Sequence, residues 1–486
     1  MDVNFGAVNI SLLKRSVEVT DFSLQLNSDS LPDRCHTIQI KEIALTGIKI
    51  LPLFLSEKLH INNISLKQGN LLIDQAVIDE LKKLKSKKGS TAGSMEVSAI
   101  TIGLLAIDSL SFAMVSPDAD SCRKDHDLRV SDIRLSLSDL SVRKNVDVTY
   151  TIHKFVMQEV DYTPSVGAYA YHVGRVDYHD EALTVDSILL KPRYSKFQFA
   201  HEVGKQTDRI NLYVSQLSIN KLMLDDLRDS TLSASSIRIR DAELYAFRDK
   251  RLPFIKDHSV PLPMKMFKDL SIDVKVDSLI VDNAKVSYEE FPEKGDDSGV
   301  ISFHRLNAVF TPLNNRMDEP NKFVNLQVET EFMNSGKLKC RFQFPTSSSN
   351  LYYAEGTLMN FDLTTLNGAL EPLMNVRIAS GRMNSLAFNF DYNTVESKGN
   401  LLLNYEDLKV VALKKDEDVI DKLKSFILNL FIIKSDKDEE VRKDKRTGEI
   451  NFKRDPKRSV FNYWWKSIAD GVKSTYSLEK MIKKEE

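Results

Sequence analysis

The sequence lacks any apolar run long enough to cross a bilayer, for which roughly 18 consecutive apolar residues are needed. Its beginning, MDVNFGAVNISLLKRS, lacks the basic-then-apolar order of a signal peptide and looks like the middle of a β-strand. We therefore expect that an N-terminal membrane helix, missing from this chain, tethers the protein to a membrane.

Cysteine, glycine and proline are also scarce. The three cysteines, Cys35, Cys122 and Cys340, lie far apart and include no C-x-x-C pair, so no disulfide framework is indicated. The 18 glycines and 14 prolines among 486 residues argue against a collagenous or low-complexity chain. The 67 basic and 69 acidic residues leave a net charge of -2, so we expect no nucleic-acid partner.

The residue patterns of common catalytic and metal sites are absent as well. The nine histidines are scattered without metal-ligand spacing, and acidic residues 117–127 and 436–449 lack the ligand order of a calcium loop. No glycine-rich phosphate loop, G-x-S-x-G elbow or Cys/His constellation occurs. Glu289 and Glu290 are expected to form an exposed pair at a strand end. We predict no enzyme activity, no cofactor and no metal site.

The sequence does contain a rhythm of apolar residues that fits neither regular secondary structure. In residues 38–55, IQIKEIALTGIKILPLFL, apolar side chains follow one another at alternating steps of two and three. A regular strand requires steps of two, and a helix requires a period of about 3.6. The same rhythm recurs at 100–112, 212–224 and 274–286, and the residues between the apolar pairs are mostly polar.

A β-bulge explains this rhythm. A step of three turns the next side chain to the opposite face of a strand, and one extra residue returns it to the first face. The rhythm therefore predicts long strands that keep one apolar face and bend around it. Two alternatives remain open: a solenoid with five residues per side, and an ordinary closed core.

We predict that the bent sheet forms a hydrophobic groove for lipid acyl chains. The predicted groove-lining residues are Ile38, Ile40, Ile43, Leu45, Ile48, Ile50, Ile100, Ile102, Leu105, Ile107, Leu212, Val214, Leu217, Ile219, Val274, Val276, Leu279 and Val281. In an open groove, replacement of Ile43, Ile107 and Leu217 with Asp or Lys blocks lipid transfer and leaves the sheet folded. In a closed core the same substitutions unfold it.

The remaining strands alternate regularly, and MNSGK and YHDEA are hairpin signals. Helices are predicted at 74–88, at 363–372 and in the tail, where 416–433 and 458–474 are amphipathic. The expected fold is mainly β: an elongated, bent antiparallel sheet of roughly 25 to 30 strands with few short helices.

Three regions are predicted along the chain: a repetitive β-groove at 1–316, a β segment at 317–414 and a charged helical tail at 415–486. The tail carries the aromatic residues that are candidates for a membrane interface. These candidates are Phe431, Phe461, Trp464 and Trp465. The two tryptophans are equally compatible with a plug at the end of the groove or with packing in a small helical cap.

Residues 356–413 contain G-x-L-x-N-F-D-L-x-x-L-N, then I-A-S-G-x-x-N-x-L-x-F, then S-K-G-x-L-x-L-x-Y-x-D-L. These elements resemble the C-terminal segment of AsmA-like proteins of the bacterial envelope, which are relatives of TamB. The terminal SVFNYWWKSIADGVK is similar to members of the same group. The resemblance implies a repeating β-groove fold and transfer of phospholipids between membranes or support of outer-membrane assembly.

The resemblance further implies a periplasmic protein held at the inner membrane by an N-terminal helix. The expected partners are phospholipids or other acyl-chain lipids, a membrane and envelope proteins. A second hypothesis is a non-enzymatic β-rich scaffold that binds protein partners in the envelope. Lipid that co-purifies with the protein distinguishes the two.

Overall fold

The computed structural model describes residues 2–25, 37–74, 98–115, 126–143, 148–164, 166–255, 259–347, 351–413 and 446–485. The protein is mainly β, with 66% strand and 14% helix, few short helices and a helix at the C-terminal end, as predicted. The chain forms two compact units, Met1–Arg193 (unit 1) and Tyr194–Glu486 (unit 2). The division into three regions at 1–316, 317–414 and 415–486 stays a prediction.

In its described residues, unit 1 is a ladder of strands in chain order with one short helix. Its strands are β1 Asp2–Asn4, β2 Ala7–Ser11, β3 Ser16–Gln25, β4 Thr37–Thr46, β5 Lys58–Asp74, β6 Ala99–Val115, β7 His126–Arg143, β8 Val148–Tyr162, β9 Tyr169–His179 and β10 Ala182–Pro192. Helix α1 spans Ile50–Ser56. Strands β1 and β2 both pair with β3, and each later strand to β10 pairs with the strand before it.

Unit 2 continues the same plan with more helix. Its strands are β11 Asp208–Asn220, β12 Thr231–Asp249, β13 Asp273–Phe291, β14 Gly299–Thr311, β15 Leu313–Asn314, β16 Phe323–Phe332, β17 Gly336–Pro345, β18 Tyr352–Asp362, β19 Val376–Tyr392, β20 Glu396–Ala412 and β21 Arg446–Lys453. Its helices are α2 Lys196–Val203, α3 Leu224–Arg228, α4 Pro263–Lys268, a 3-10 turn Leu363–Leu366, α5 Asn367–Met374 and α6 Val460–Glu485.

Among the strand pairs that the structure describes, all but two are antiparallel. Strands β5 and β6 run parallel, and so do β12 and β13. Parallel neighbours need a long crossover, and residues 250–272, which include α4, provide it between β12 and β13. The rhythm of apolar residues did not reveal this difference because it reads the same in either direction.

The predicted local elements are largely confirmed. MNSGK forms the β16–β17 hairpin, and YHDEA forms the β9–β10 hairpin with left-handed Asp180 and Glu181 at its tip. The helices expected at 363–372 and 458–474 are present. Apart from Asp74, the helix predicted at 74–88 lies outside the described residues, as does the helix predicted at 416–433.

The prediction of one strand through residues 38–55 was wrong, because strand β4 ends at Thr46. Gly47 adopts a left-handed φ of 68°, which ends strand β4. Ile50 then begins helix α1, in which Pro52 lies in the first turn, where proline costs no internal hydrogen bond. The apolar residues from Ile48 to Leu55 therefore do not continue the bent strand.

The predicted bulges are present as single left-handed residues inside the strands. Asp21 has φ 49° between Val19 and Phe22, and Ser109 has φ 61° between Ile107 and Leu110. Further left-handed residues occupy the same step of three in other strands. They are Asp139, Glu159, Ser187, Asp241 and Asn283. Each one returns the following apolar side chain to the face of the preceding one.

In unit 1 these irregular positions line up from strand to strand, and we call the row the crease. In six pairs of neighbouring strands, the one-to-one pairing of residues omits one residue of each strand at the crease, and the two omitted residues lie side by side. The crease consists of Asp21, Lys41, Gln68 and Ser109 in β3 to β6 and of Ser131, Glu159, Gly174 and Ser187 in β7 to β10. Between β6 and β7 two register shifts offset the two halves of the row. Because a bulge bends its strand, an aligned row of them bends the sheet of unit 1 along one line.

Gln68 of the crease is exposed and has φ 48°. We therefore expect valine to destabilise the strand at this position and glycine to be tolerated. Gln68→Val should lower the free energy of unfolding by about 1–2 kcal/mol, because a side chain with a branched Cβ resists the left-handed region. Gln68→Gly should be neutral or stabilising. Urea unfolding followed by circular dichroism measures both variants.

The matched control is Gln39→Val, at an exposed position on strand β4 without a positive φ. Valine favours extended backbone, so this variant should not lose stability. Equal effects of valine at positions 39 and 68 would show that the backbone at Gln68 is not left-handed.

Candidate functional site

The open apolar face is the side of unit 1 on which the bulges collect the apolar residues. Two of its rows each cross eight strands, one on either side of the crease. The first row is Val19, Ile43, Leu66, Ile107, Leu135, Phe155, Tyr178 and Leu183. The second is Leu24, Ile38, Leu71, Phe112, Val130, Val160, Val173 and Ile188.

The side chains of this face are poorly covered. Within unit 1 five large apolar side chains are buried in the described residues: Ile61, Val130, Leu137, Val156 and Tyr178. The other members of the two rows are half-buried. Apolar rows of this length that stay partly in water are unusual, because contiguous apolar surface is normally covered by another element or by a ligand.

The structure places nearly all predicted groove residues of unit 1 on half-buried positions. They are Ile38, Ile40, Ile43, Leu45, Ile48, Ile100, Ile102, Leu105 and Ile107. Register brings those on β4 and β6 together through β5: Ile43 and Ile107 are both level with Leu66. Ile50 is the exception, since it lies in α1 and is 49% exposed.

The predicted groove residues of unit 2 are more deeply covered. Val214, Ile219, Val274 and Val276 are buried. Leu212, Leu217, Leu279 and Val281 are half-buried. The main buried core of the described residues lies wholly in unit 2, between Leu262 and Val472.

Helices seal the apolar face of unit 2. Leu262, just before α4, Ala369 of α5, and Tyr463 and Val472 of α6 are all buried. Helix α6 lies very close to β21, since a Cβ on Gly448 would stand 2.1 Å from the carbonyl oxygen of Gly471. Glycine at position 448 is therefore required for this contact.

Trp464 belongs to this seal. Its ring stacks on Phe342 with centroids 4.4 Å apart, and it meets the edge of Tyr392 at 6.3 Å. Phe461 and Trp465 are 72% and 54% exposed and are neighbours on one face of α6. Their predicted place at a membrane interface stays a prediction, and Phe431 lies outside the described residues.

Sequence reasoning missed a charged cluster at the end of β13. Glu289 and Glu290 were expected to be exposed, but their side chains are 13% and 16% exposed and bind Lys196 and Lys250 at 2.8 and 2.5 Å. Burial works against the Glu289 charge, but hydrogen bonds from Lys196 and Tyr245 outweigh it and lower the pKa of Glu289. Because every carboxylate here has a cationic partner, the cluster is suited to structural support.

The Cys340 thiol and the potential metal ligands give no sign of a reactive site in the described residues. Burial raises the pKa of the Cys340 thiol to about 12, so little reactive thiolate exists at neutral pH. In the part of the chain that the structure describes, no group of three or more His, Cys, Asp or Glu side chains could hold a metal ion.

Unit 2 carries a cleft of about 990 Å³ with one polar wall, on the sheet face opposite the core. Six polar side chains from successive strands form one of its walls: Gln327, Arg341, Glu355, Asn389, Asn400 and Glu449. The basic residues of the cleft pair with its acidic ones, as Lys339 does with Glu329 at 2.8 Å and Arg341 with Glu355 at 3.8 Å. This wall of the cleft therefore presents mixed charge and amides, which suits a neutral polar partner.

No protein-family model matches the sequence, and a search of curated proteins finds no match. Membership in the AsmA-like family therefore stays a prediction from the quoted motifs. Among the described residues no helix is both long and apolar enough to cross a membrane.

The half-buried apolar face of unit 1 and the buried core of unit 2 should differ in how much stability a charged substitution costs. Ile43→Lys should cost about 1 kcal/mol of unfolding free energy, because the lysine stem can stay on the half-buried face while its ammonium reaches water. Leu403→Lys, at a site that is 0% exposed, should cost more than about 4 kcal/mol. Urea unfolding compares the two variants. Equal and large losses would mean that the face of unit 1 is closed.

An ion pair in unit 2 predicts acid sensitivity. Asp249, 1% exposed, accepts hydrogen bonds from the side chain and backbone nitrogen of Arg251, and these outweigh burial and lower its pKa below the ordinary 3.8. A lowered folded pKa gives stability that is present above the ordinary value and is lost as the pH falls through the folded pKa.

Asp249→Asn should therefore be less stable than the parent protein at neutral pH. It should also lose less stability between about pH 5 and about pH 2. Urea midpoints measured across this range test the prediction, and parallel pH profiles of the two proteins would refute it.

Proposed function

We propose that the protein is a non-enzymatic lipid carrier that holds phospholipid acyl chains on the open apolar face of unit 1 and lets them move along it. The observation that supports this function most is the contrast in coverage. The buried core of unit 2 includes residues of its helices, whereas the two apolar rows of unit 1 are half-buried over eight strands except at Val130 and Tyr178.

The energetics of such a face suit a carrier. Removal of an acyl chain from water contributes about 0.8 kcal/mol per buried methylene. Rows of aliphatic side chains repeat from strand to strand, so neighbouring positions offer similar binding energy and none is a deep trap. The headgroup can remain in water beyond the rim, so the site selects acyl chains without a specific polar contact.

The AsmA-like motifs support a place for this activity in the bacterial envelope. On that basis we propose a periplasmic protein, tethered to the inner membrane by an upstream helix, that moves phospholipid between membranes or supports outer-membrane assembly. The motifs lie in residues 356–413, which form β18 to β20 and the helical turn between them. The lipid face itself lies in unit 1, so the two lines of support are separate.

A second candidate function is a scaffold that binds an envelope protein. The polar wall of the unit 2 cleft favours it, since its mixed charges and amides across six strands suit an extended polar partner. The two functions use different faces in different units and can therefore be tested separately.

The lipid function predicts that purified protein carries phospholipid. Native mass spectrometry of detergent-free preparations should show bound lipid for the parent protein. The double variant Ile43→Asp/Ile107→Asp should lose it, because carboxylates on both sides of Leu66 make the face polar. Circular dichroism should show the parent strand content, because both positions are half-buried.

The matched control places the same charges on the other face of the same strands. Gln39→Asp/Leu104→Asp uses two exposed positions, and Leu104 pairs with the polar residues Asn63 and Ser138. This control should keep its lipid. Lipid-free parent protein from several preparations, or equal loss in both double variants, would refute lipid carriage on this face.

A further inference from the structure

We infer that one corner of unit 1 inserts into the surface of a bilayer that contains anionic phospholipid. The apolar corner consists of the β2–β3 turn and helix α1. Its exposed residues are Leu12, Leu13, Ile50, Leu51, Phe54 and Leu55. This inference deepens the proposed function, since a carrier of membrane lipid has to contact a bilayer.

Backbone hydrogen bonds bring the two parts of the corner together. The amide of Ile48 donates to the carbonyl oxygen of Arg15 at 3.1 Å, which joins the start of α1 to the turn. The amide of Lys49 donates to the carbonyl oxygen of His60 at 2.9 Å and fixes the same segment to β5. The two apolar segments therefore lie close together in unit 1.

The exposure of these side chains is far above that of the apolar face. Leu12 and Leu13 are 82% and 100% exposed at the tip of the turn, and Phe54 and Leu55 are 68% and 77% exposed on α1. Ile50, Leu51, Phe54 and Leu55 lie on one side of the helix because residues four apart are neighbours. Protruding leucines and a phenylalanine on a short helix are the side chains that insert at the boundary between headgroups and acyl chains.

The charges around the corner point to an anionic bilayer as the partner. Lys14 and Arg15 follow the two leucines, and Lys49 and Lys58 flank α1, with Glu57 as the acidic residue of these segments. Basic residues at the margin of an apolar patch attract anionic headgroups while the apolar side chains insert. A protein partner of ordinary composition would not require this combination.

The corner also adjoins the open apolar face. Strand β2 leads directly into the turn, and its Val8 and Ile10 pair with Val19 and Val17 of β3. Val8 and Ile10 are 42% and 68% exposed, so the apolar rows are least covered beside the corner. A lipid that leaves a bilayer at the corner would meet the apolar face at once.

Vesicle flotation of the full chain tests the inference. The parent protein should float with phosphatidylcholine vesicles that contain phosphatidylglycerol, and Leu12→Asp/Leu13→Asp should bind them at least about tenfold more weakly. Lys14→Gln/Lys49→Gln should weaken binding about fivefold per residue on these vesicles and little on pure phosphatidylcholine. Phe54→Asp/Leu55→Asp gives an independent second variant of the corner.

The matched control is Val166→Asp, which changes a 90% exposed residue of unit 1 outside the corner and should float like the parent. Circular dichroism and size-exclusion chromatography accompany every variant. Unchanged flotation of both corner variants would overturn the inference, as would a parent dimer that the corner variants convert to a monomer.

Native mass spectrometry separates this inference from the proposed function. Bound phospholipid that remains in Leu12→Asp/Leu13→Asp while flotation is lost supports the corner as a docking surface distinct from the carrying face. Flotation of a parent protein that holds no phospholipid would leave the docking surface standing and would refute the carrier.

Discussion

The structure depends on one backbone constraint: a local irregularity, in many strands a single left-handed residue, at the step of three between apolar side chains. Without it, half of the apolar side chains of strand β6 or β13 would turn to the solvent face. With it, Ile107 and Leu110 share a face across Ser109, and Val281 and Ala284 share a face across Asn283. The conformation is costly for residues other than glycine, and burial of the apolar rows offsets that cost only while the bulges stay aligned.

The apolar rows of the two units differ in how well they are covered. In unit 2 the aromatic and aliphatic rows are covered by helices, with Trp464 stacked on Phe342 and Gly448 against α6. In unit 1 the two apolar rows, apart from Val130 and Tyr178, are half-buried and end beside an exposed apolar corner with a basic margin. The proposed division of labour follows: unit 2 is a stable core, and unit 1 supplies the surface for lipid.

The bent-strand architecture was predictable from the sequence, because the rhythm of two and three records side-chain direction at every residue. The hairpins at 178–182 and 333–337 and the helices after residue 362 and residue 459 were predictable from turn residues and periodicity. The parallel pairs were not, since strand direction leaves no trace in the rhythm. Helix α1 was missed because Ile48 to Leu55 continue the rhythm by coincidence after Gly47 has ended the strand. The burial of the apolar residues could not be predicted either, because the same pattern contains the buried Val276 and the half-buried Ile43.

The most direct measurement of the central claim is photo-cross-linking with a phospholipid that carries a diazirine in its acyl chain, followed by peptide mapping. The account predicts that labelled residues lie on the open apolar face, in strands β4 to β8, at positions such as Ile43, Ile107 and Leu135. Labelling confined to unit 2, or spread evenly over outward-facing residues such as Leu104, would contradict it.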